Sequence, residues 1–234
     1  MTPENRIPEL DFFRGFCILG MIAVHLVYDL TEIYPVFRMP YPPFFLLIKD
    51  GGGILFFLLS GISVTLGHSC LRRGAVVLGC AALVSTVTVM TGMPVRFGVL
   101  HALGCCMILW LFFQKIPRNV LPYLALLIIA LGAVFEAFTV SSPFLYPVGL
   151  TAADFTSADF FPLFPYLGYF LAGACLGQRY YPTRRSLLPM LSFSGKASRI
   201  FRFCGRHSLL LYLLHQPVLL GAIEAALFLR RELL

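Results

Sequence analysis

Four residues able to do acid–base chemistry stand on one stripe of the first apolar segment: Asp11, Arg14, His25 and Asp29. At about 100° per helical residue they fall within an arc of roughly 60°. An ionisable side chain inside a bilayer costs at least ~2.5–3.5 kcal/mol and marks a functional site by default. Arg14 and His25 are almost three turns apart, about 16 Å along the axis. Asp29 follows His25 by one turn, which places it to orient the imidazole by hydrogen bonding. A neutral imidazole with an orienting carboxylate can take a proton from an amine or a hydroxyl. The stripe cannot face lipid, so it must line a helix-bundle interior. It serves there either as a reaction or transport path, or as polar glue between helices.

Other segments add to this chemistry. In the last apolar segment Ser208, Tyr212 and His215 fall on one face, followed by Gln216 and Pro217, where a kink is expected. The fourth segment opens with Arg96 and places His101 about 8 Å deeper, at a depth comparable to His25. Asp50 precedes Gly51, Gly52 and Gly53, a run that allows a close backbone approach or a re-entrant bend. Arg14, Arg72, Arg73 and Arg206 form a basic set suited to phosphate groups, although Arg72 and Arg73 also serve simply to set topology. Asp154 and Asp159 lie in a connection without basic residues, which fits an external loop. No H-x-x-x-H or H-E-x-x-H pairing occurs, so no metal is expected. No apolar segment holds a lysine, which excludes a retinal protein.

The elements that must position these residues are apolar helices. Of 234 residues, 59% are hydrophobic and 12% charged, with a mean hydropathy of +0.84. A soluble domain has roughly 45–50% apolar and about 25% charged residues. That contrast excludes a disordered tail, a nucleic-acid-binding domain and a typical cytosolic enzyme. The fold class is all-α: a polytopic membrane protein of about seven helices, over 9–34, 51–67, 74–90, 97–113, 120–138, 161–177 and 207–229. Short linkers and the lack of an internal repeat make 1–234 a single domain. The seven cysteines read as small buried residues. With the N-terminus cytoplasmic, the inner side holds 13 of the 18 Lys and Arg residues, leaving Arg38, Lys49, Arg96, Arg230 and Arg231 outside. The net charge of +7 therefore reports orientation and, through the arginines, donor capture. The expected location is the cell's inner membrane, multi-pass.

The run Leu10-Asp11-Phe12-Phe13-Arg14-Gly15, continuing through His25 to Tyr28-Asp29-Leu30, resembles the opening helix of a bacterial membrane family. That family is related to the catalytic domain of heparan-α-glucosaminide N-acetyltransferase. Further resemblances are Phe57-Leu58-Leu59-Ser60-Gly61, Arg96 to Gly104, Phe164 to Phe170, and Gly205-Arg206-His207-Ser208 through Tyr212 to His215-Gln216-Pro217. The opening motif is also similar to that of the wider acyltransferase-3 membrane enzymes, with Arg14 and His25 matching its arginine and essential histidine. The resemblance implies transfer of an acetyl group from cytosolic acetyl-CoA to a sugar or glycan acceptor on the outer side. On that reading His25, Asp29 and Asp11 are the candidate catalytic residues, His25 as general base or transient acyl carrier. Arg14, Arg72, Arg73 and Arg206 would guide the acyl donor, and Asp50, Arg96, His101, His215 and Gln216 would meet the acceptor. Expected partners are donor, acceptor and membrane lipid, with no nucleic acid; a homodimer stays open. The alternative is a proton-coupled or solute transporter without covalent chemistry.

Overall fold

The structure is a computed structural model that describes residues 7–36, 41, 43–188 and 195–233, with the side chains at 43, 44, 46, 49, 50 and 233 left out. The described residues form eight α-helices and no strand. They are α1 (Pro8–Tyr28), α2 (Pro43–Leu66), α3 (Cys70–Met90), α4 (Val99–Phe113), α5 (Leu121–Glu136), α6 (Leu163–Tyr180), α7 (Lys196–Arg206) and α8 (Ser208–Leu233). Seven of them lie on the apolar runs expected from the sequence. The eighth, α7, has no counterpart there, because it is short and rich in basic residues.

Among the described residues, three stretches are long and apolar enough to cross a membrane: Pro8–Ile33, Cys70–Met90 and Ser208–Glu232. Gly51–Leu66, Val99–Phe113 and Leu121–Glu136 are apolar but shorter. Large apolar side chains project outward along several helices, among them Leu83, Val87 and Val89 on α3, Leu126, Leu127 and Val134 on α5, and Leu214, Val218 and Phe228 on α8.

The chain divides into two compact units. Among the described residues, the terminal unit comprises those within Pro8–Gly53 and Leu188–Leu234, and the central unit comprises Ile7 and Ile54–Leu187. In the terminal unit α1 packs against α7 and α8. The α1–α7 crossing is backbone to backbone. A Cβ on Gly15 would fall on the Phe201 carbonyl, and a Cβ on Gly205 on the Asp11 carbonyl. Phe12 and Phe16 then close over Phe201, with ring centroids 5.0 and 6.2 Å away.

The central unit uses the same device. Gly61 of α2 abuts the Phe170 carbonyl of α6, and Gly173 of α6 abuts the Leu58 carbonyl. Small residues permit such close approach, which matters most where lipid supplies no hydrophobic drive for helices to associate. Phe57, Phe170 and Leu171 fill the space beside these crossings and are fully buried. α3 meets α4 through Gly74 and Gly104. α6 departs from helical backbone at Phe164 (φ −102°, ψ 118°), as the residue before Pro165 is steered to do.

One expectation of local geometry does not hold. The glycine run 51–53 does not bend the chain, and Gly51 and Gly52 meet no neighbour among the described residues. α2 continues through it as helix, and a Cβ on Gly51 or Gly52 would meet nothing within 4 Å.

Candidate active site

The terminal unit gathers two histidines, an aspartate and a glutamine where α1 faces α8. The rings of His25 and His215 meet edge to face, centroids 4.7 Å apart and planes at 81°. Each ring is fixed by its own helix. His25 Nδ1 lies 2.9 Å from the Met21 carbonyl, and His215 Nδ1 lies 2.6 Å from the Tyr212 carbonyl. A carbonyl only accepts, so both Nδ1 atoms carry the proton and both Nε2 atoms of the neutral rings present a lone pair. Side chains on a helix lean toward its N-terminus. That lean carries His25 over Met21 and away from Asp29, so the orienting partner of His25 is a carbonyl. The expectation that Asp29 plays this part is corrected accordingly.

Asp29 instead accepts a 2.8 Å hydrogen bond from Gln216 Nε2 and is fully buried. It opens a widened turn, Asp29–Ile33, closed by the Tyr34 N–H on the Asp29 carbonyl at 2.7 Å. Such π-turns recur at functional sites. Among the described residues, Asp29 Oδ2, Gln216 Oε1 and His215 Nε2 are buried without a hydrogen-bond partner. Gln216 Oε1 accepts, His215 Nε2 accepts in the neutral ring, and Asp29 Oδ2 accepts when the carboxyl is ionised. Each buried acceptor left unmade costs about 1–3 kcal/mol. A group bringing N–H or O–H bonds would pair with such acceptors.

At the far end of α1, Tyr34 donates to Glu224 (2.7 Å) and Tyr41 to Glu32 (2.9 Å). The bond to Glu224 raises the Tyr34 phenol above its ordinary value, because ionising it would set two anions side by side. These four residues lie outside the motifs legible in the sequence. Glu224 had a signal, since it is the one acidic residue in the apolar stretch 207–229. At the near end of α1, Arg14 bridges Asp11 at 3.2 Å and reaches the Gly205 carbonyl at 3.5 Å. Arg206 is exposed, with its Nε on the Arg202 carbonyl at 3.2 Å. The stripe on α1 thus faces α7 with Asp11 and Arg14, and α8 with His25 and Asp29.

The central unit holds the other candidates. His101 caps its own helix: Nδ1 accepts the Gly98 N–H at 3.2 Å, which leaves Nε2–H to meet Ser85 Oγ, also at 3.2 Å. Both ring nitrogens are therefore occupied. Asp159 adds a second cap, accepting the Val99 N–H at 3.0 Å, while Asp154 is exposed. Arg96 lies over the Phe155 ring at 5.6 Å. Arg72 is exposed. Arg73 folds against Gly67, with Nε and one terminal nitrogen buried and unpartnered among the described residues. The Asp50 side chain lies outside the described ones. No group of three or more His, Cys, Asp or Glu is placed to hold a metal among the described residues. All seven cysteines are free.

The cap makes a prediction. Asp159→Ala is expected to lower stability by about 0.5–2 kcal/mol, the usual worth of a helix cap, whereas Asp159→Asn keeps an accepting oxygen and stays near wild type. Thermal melts of the two variants check it. An equal loss in both would show that the charge, not the cap, is what matters.

The profile of the heparan-α-glucosaminide N-acetyltransferase catalytic family matches residues 6–217. The chain belongs to this family. No curated protein and no solved structure gives a significant match. The family is one of acetyltransferase catalytic domains, which makes transferase chemistry the frame for the site. The match of this heparan-α-glucosaminide N-acetyltransferase relative runs through residues of both units. It contains Arg14, His25, Asp29, His215 and Gln216, and stops short of Glu224.

Proposed function

We propose that the chain is an integral membrane acetyltransferase. It moves an acetyl group from cytosolic acetyl-CoA to an amino or hydroxyl group of a sugar or glycan on the outer side. The observation that carries this reading is the cluster of Asp29 Oδ2, Gln216 Oε1 and His215 Nε2, buried and unpartnered among the described residues, beside His25, whose Nδ1 is held by the Met21 carbonyl and whose Nε2 is a lone pair when the ring is neutral. An incoming amine or hydroxyl satisfies the acceptors while His25 Nε2 takes its proton. The acceptor heteroatom attacks the thioester carbonyl, the C–S bond breaks, and the CoA thiolate leaves and is reprotonated. Arg14 and Arg206 would meet the donor phosphates in this reading. The long apolar helices, with their outward-facing apolar side chains, support a multi-pass membrane location. Both units are read as one domain because the family match runs through both.

The test uses purified protein in lipid nanodiscs with acetyl-labelled acetyl-CoA and a series of amino sugars and neutral sugars. The expected result is labelled, acetylated sugar together with free CoA. Solute uptake into proteoliposomes that needs no CoA, with no acetylated product, would replace this reading by the transport one.

A further inference from the structure

We infer that α7 carries a binding surface for anionic phospholipid headgroups. The helix has two faces. One is buried against α1 through Phe201 and Gly205. The opposite face presents Lys196, Arg199, Ile200 and Phe203, spaced i, i+3, i+4 and i+7, and all are exposed. Ile200 and Phe203 leave 59% and 57% of their surface uncovered.

Cations interleaved with large apolar side chains on a single stripe fit the boundary between headgroups and acyl chains, where phosphate lies directly above hydrocarbon. A free phosphate would have no use for the two apolar groups. The charge is one-sided: residues 179–206 hold seven Lys and Arg and not one Asp or Glu. The helix also leads through His207 straight into α8, whose Ser208–Glu232 stretch is long and apolar enough to cross a bilayer. Its level in the chain is therefore that of the headgroups. Neither Lys196 nor Arg199 takes part in the proposed donor or acceptor binding.

The inference rests on the membrane reading of the proposed function, not on its chemistry. The experiment is native mass spectrometry of the full chain in detergent, titrated with phosphatidylglycerol or with phosphatidylcholine of the same acyl chains. Wild type is expected to retain phosphatidylglycerol preferentially. Each basic residue at an anionic surface contributes about fivefold, so Lys196→Gln with Arg199→Gln should weaken that retention about thirtyfold and leave phosphatidylcholine unchanged. Ile200→Ser with Phe203→Ser should weaken both lipids. Should the double charge variant fold poorly, Arg199→Gln alone should give about a fivefold loss. The inference falls if the charge variants keep the wild-type preference, or if wild type shows none. It also falls if inorganic phosphate alone displaces the lipid, or if the serine variants instead abolish a dimer. Acetyl transfer measured in parallel separates these failures from failure of the proposed function.

Discussion

Alanine at position 25 is expected to cut acetyl transfer by a factor of about 10²–10⁴, the usual contribution of a positioned general base, while the protein keeps its fold. His25 Nδ1 is committed to the Met21 carbonyl, so the ring is held in the tautomer that leaves Nε2 free to take a proton. Removing the ring removes that lone pair. The packing loss is small, because His25 is only half-buried and, among the described residues, its one hydrogen bond is to a carbonyl of its own helix. Elution and helical content should therefore match wild type. Full activity in His25→Ala would remove the central claim. His25→Asn sharpens the result: it keeps a polar side chain but no basic nitrogen, so under the proposed chemistry it should be as inactive as alanine. If His25 only glued helices together, the asparagine would restore activity that the alanine had lost.

The stripe on α1 was legible because helical periodicity converts spacing directly into direction. Asp11, Arg14, His25 and Asp29 needed only the period of the helix to fall on one side. What each touches was not legible, because the partners come from far along the chain. Gln216, which takes Asp29, is 187 residues away. Asp159, which caps α4, is 60 residues from Val99. Burial was readable in part: Asp29 sits in an apolar run and is fully covered. Its widened turn was not readable, since nothing in Asp29–Ile33 departs from ordinary helical composition. Helix α7 escaped for another reason. Counting apolar runs finds helices wrapped in lipid, whereas Lys196–Arg206 alternates basic and apolar residues and shows itself only when read at the helical period. His101 looked like a deep, reactive histidine because depth was all the sequence supplied. The structure gives both its nitrogens partners.

The second large effect is expected from a single methyl group. Gly205→Ala should destabilise the protein by about 3 kcal/mol or more, at the top of the range for overpacking and beyond it. Ordinary overpacking is relieved when a flexible side chain swings aside. Here the new Cβ would fall on the Asp11 carbonyl, with Gly15 N only 2.9 Å away, and both are backbone atoms of α1. The helix would have to move as a body. The reciprocal contact, Gly15 on the Phe201 carbonyl, would open with it. Arg14 would lose its reach to the Gly205 carbonyl, already long at 3.5 Å. The control is a glycine of the neighbouring helix. Gly221→Ala in α8 adds a methyl where nothing lies within 4 Å, and alanine is the better helix former by about 0.8–1.0 kcal/mol. It should melt at or slightly above wild type. Thermal unfolding of the purified variants, followed by size-exclusion recovery, checks the pair. A Gly205→Ala protein as stable as Gly221→Ala would mean that α1 and α7 do not cross backbone to backbone. The placement of Arg14 and Asp11 at that crossing would fall with it.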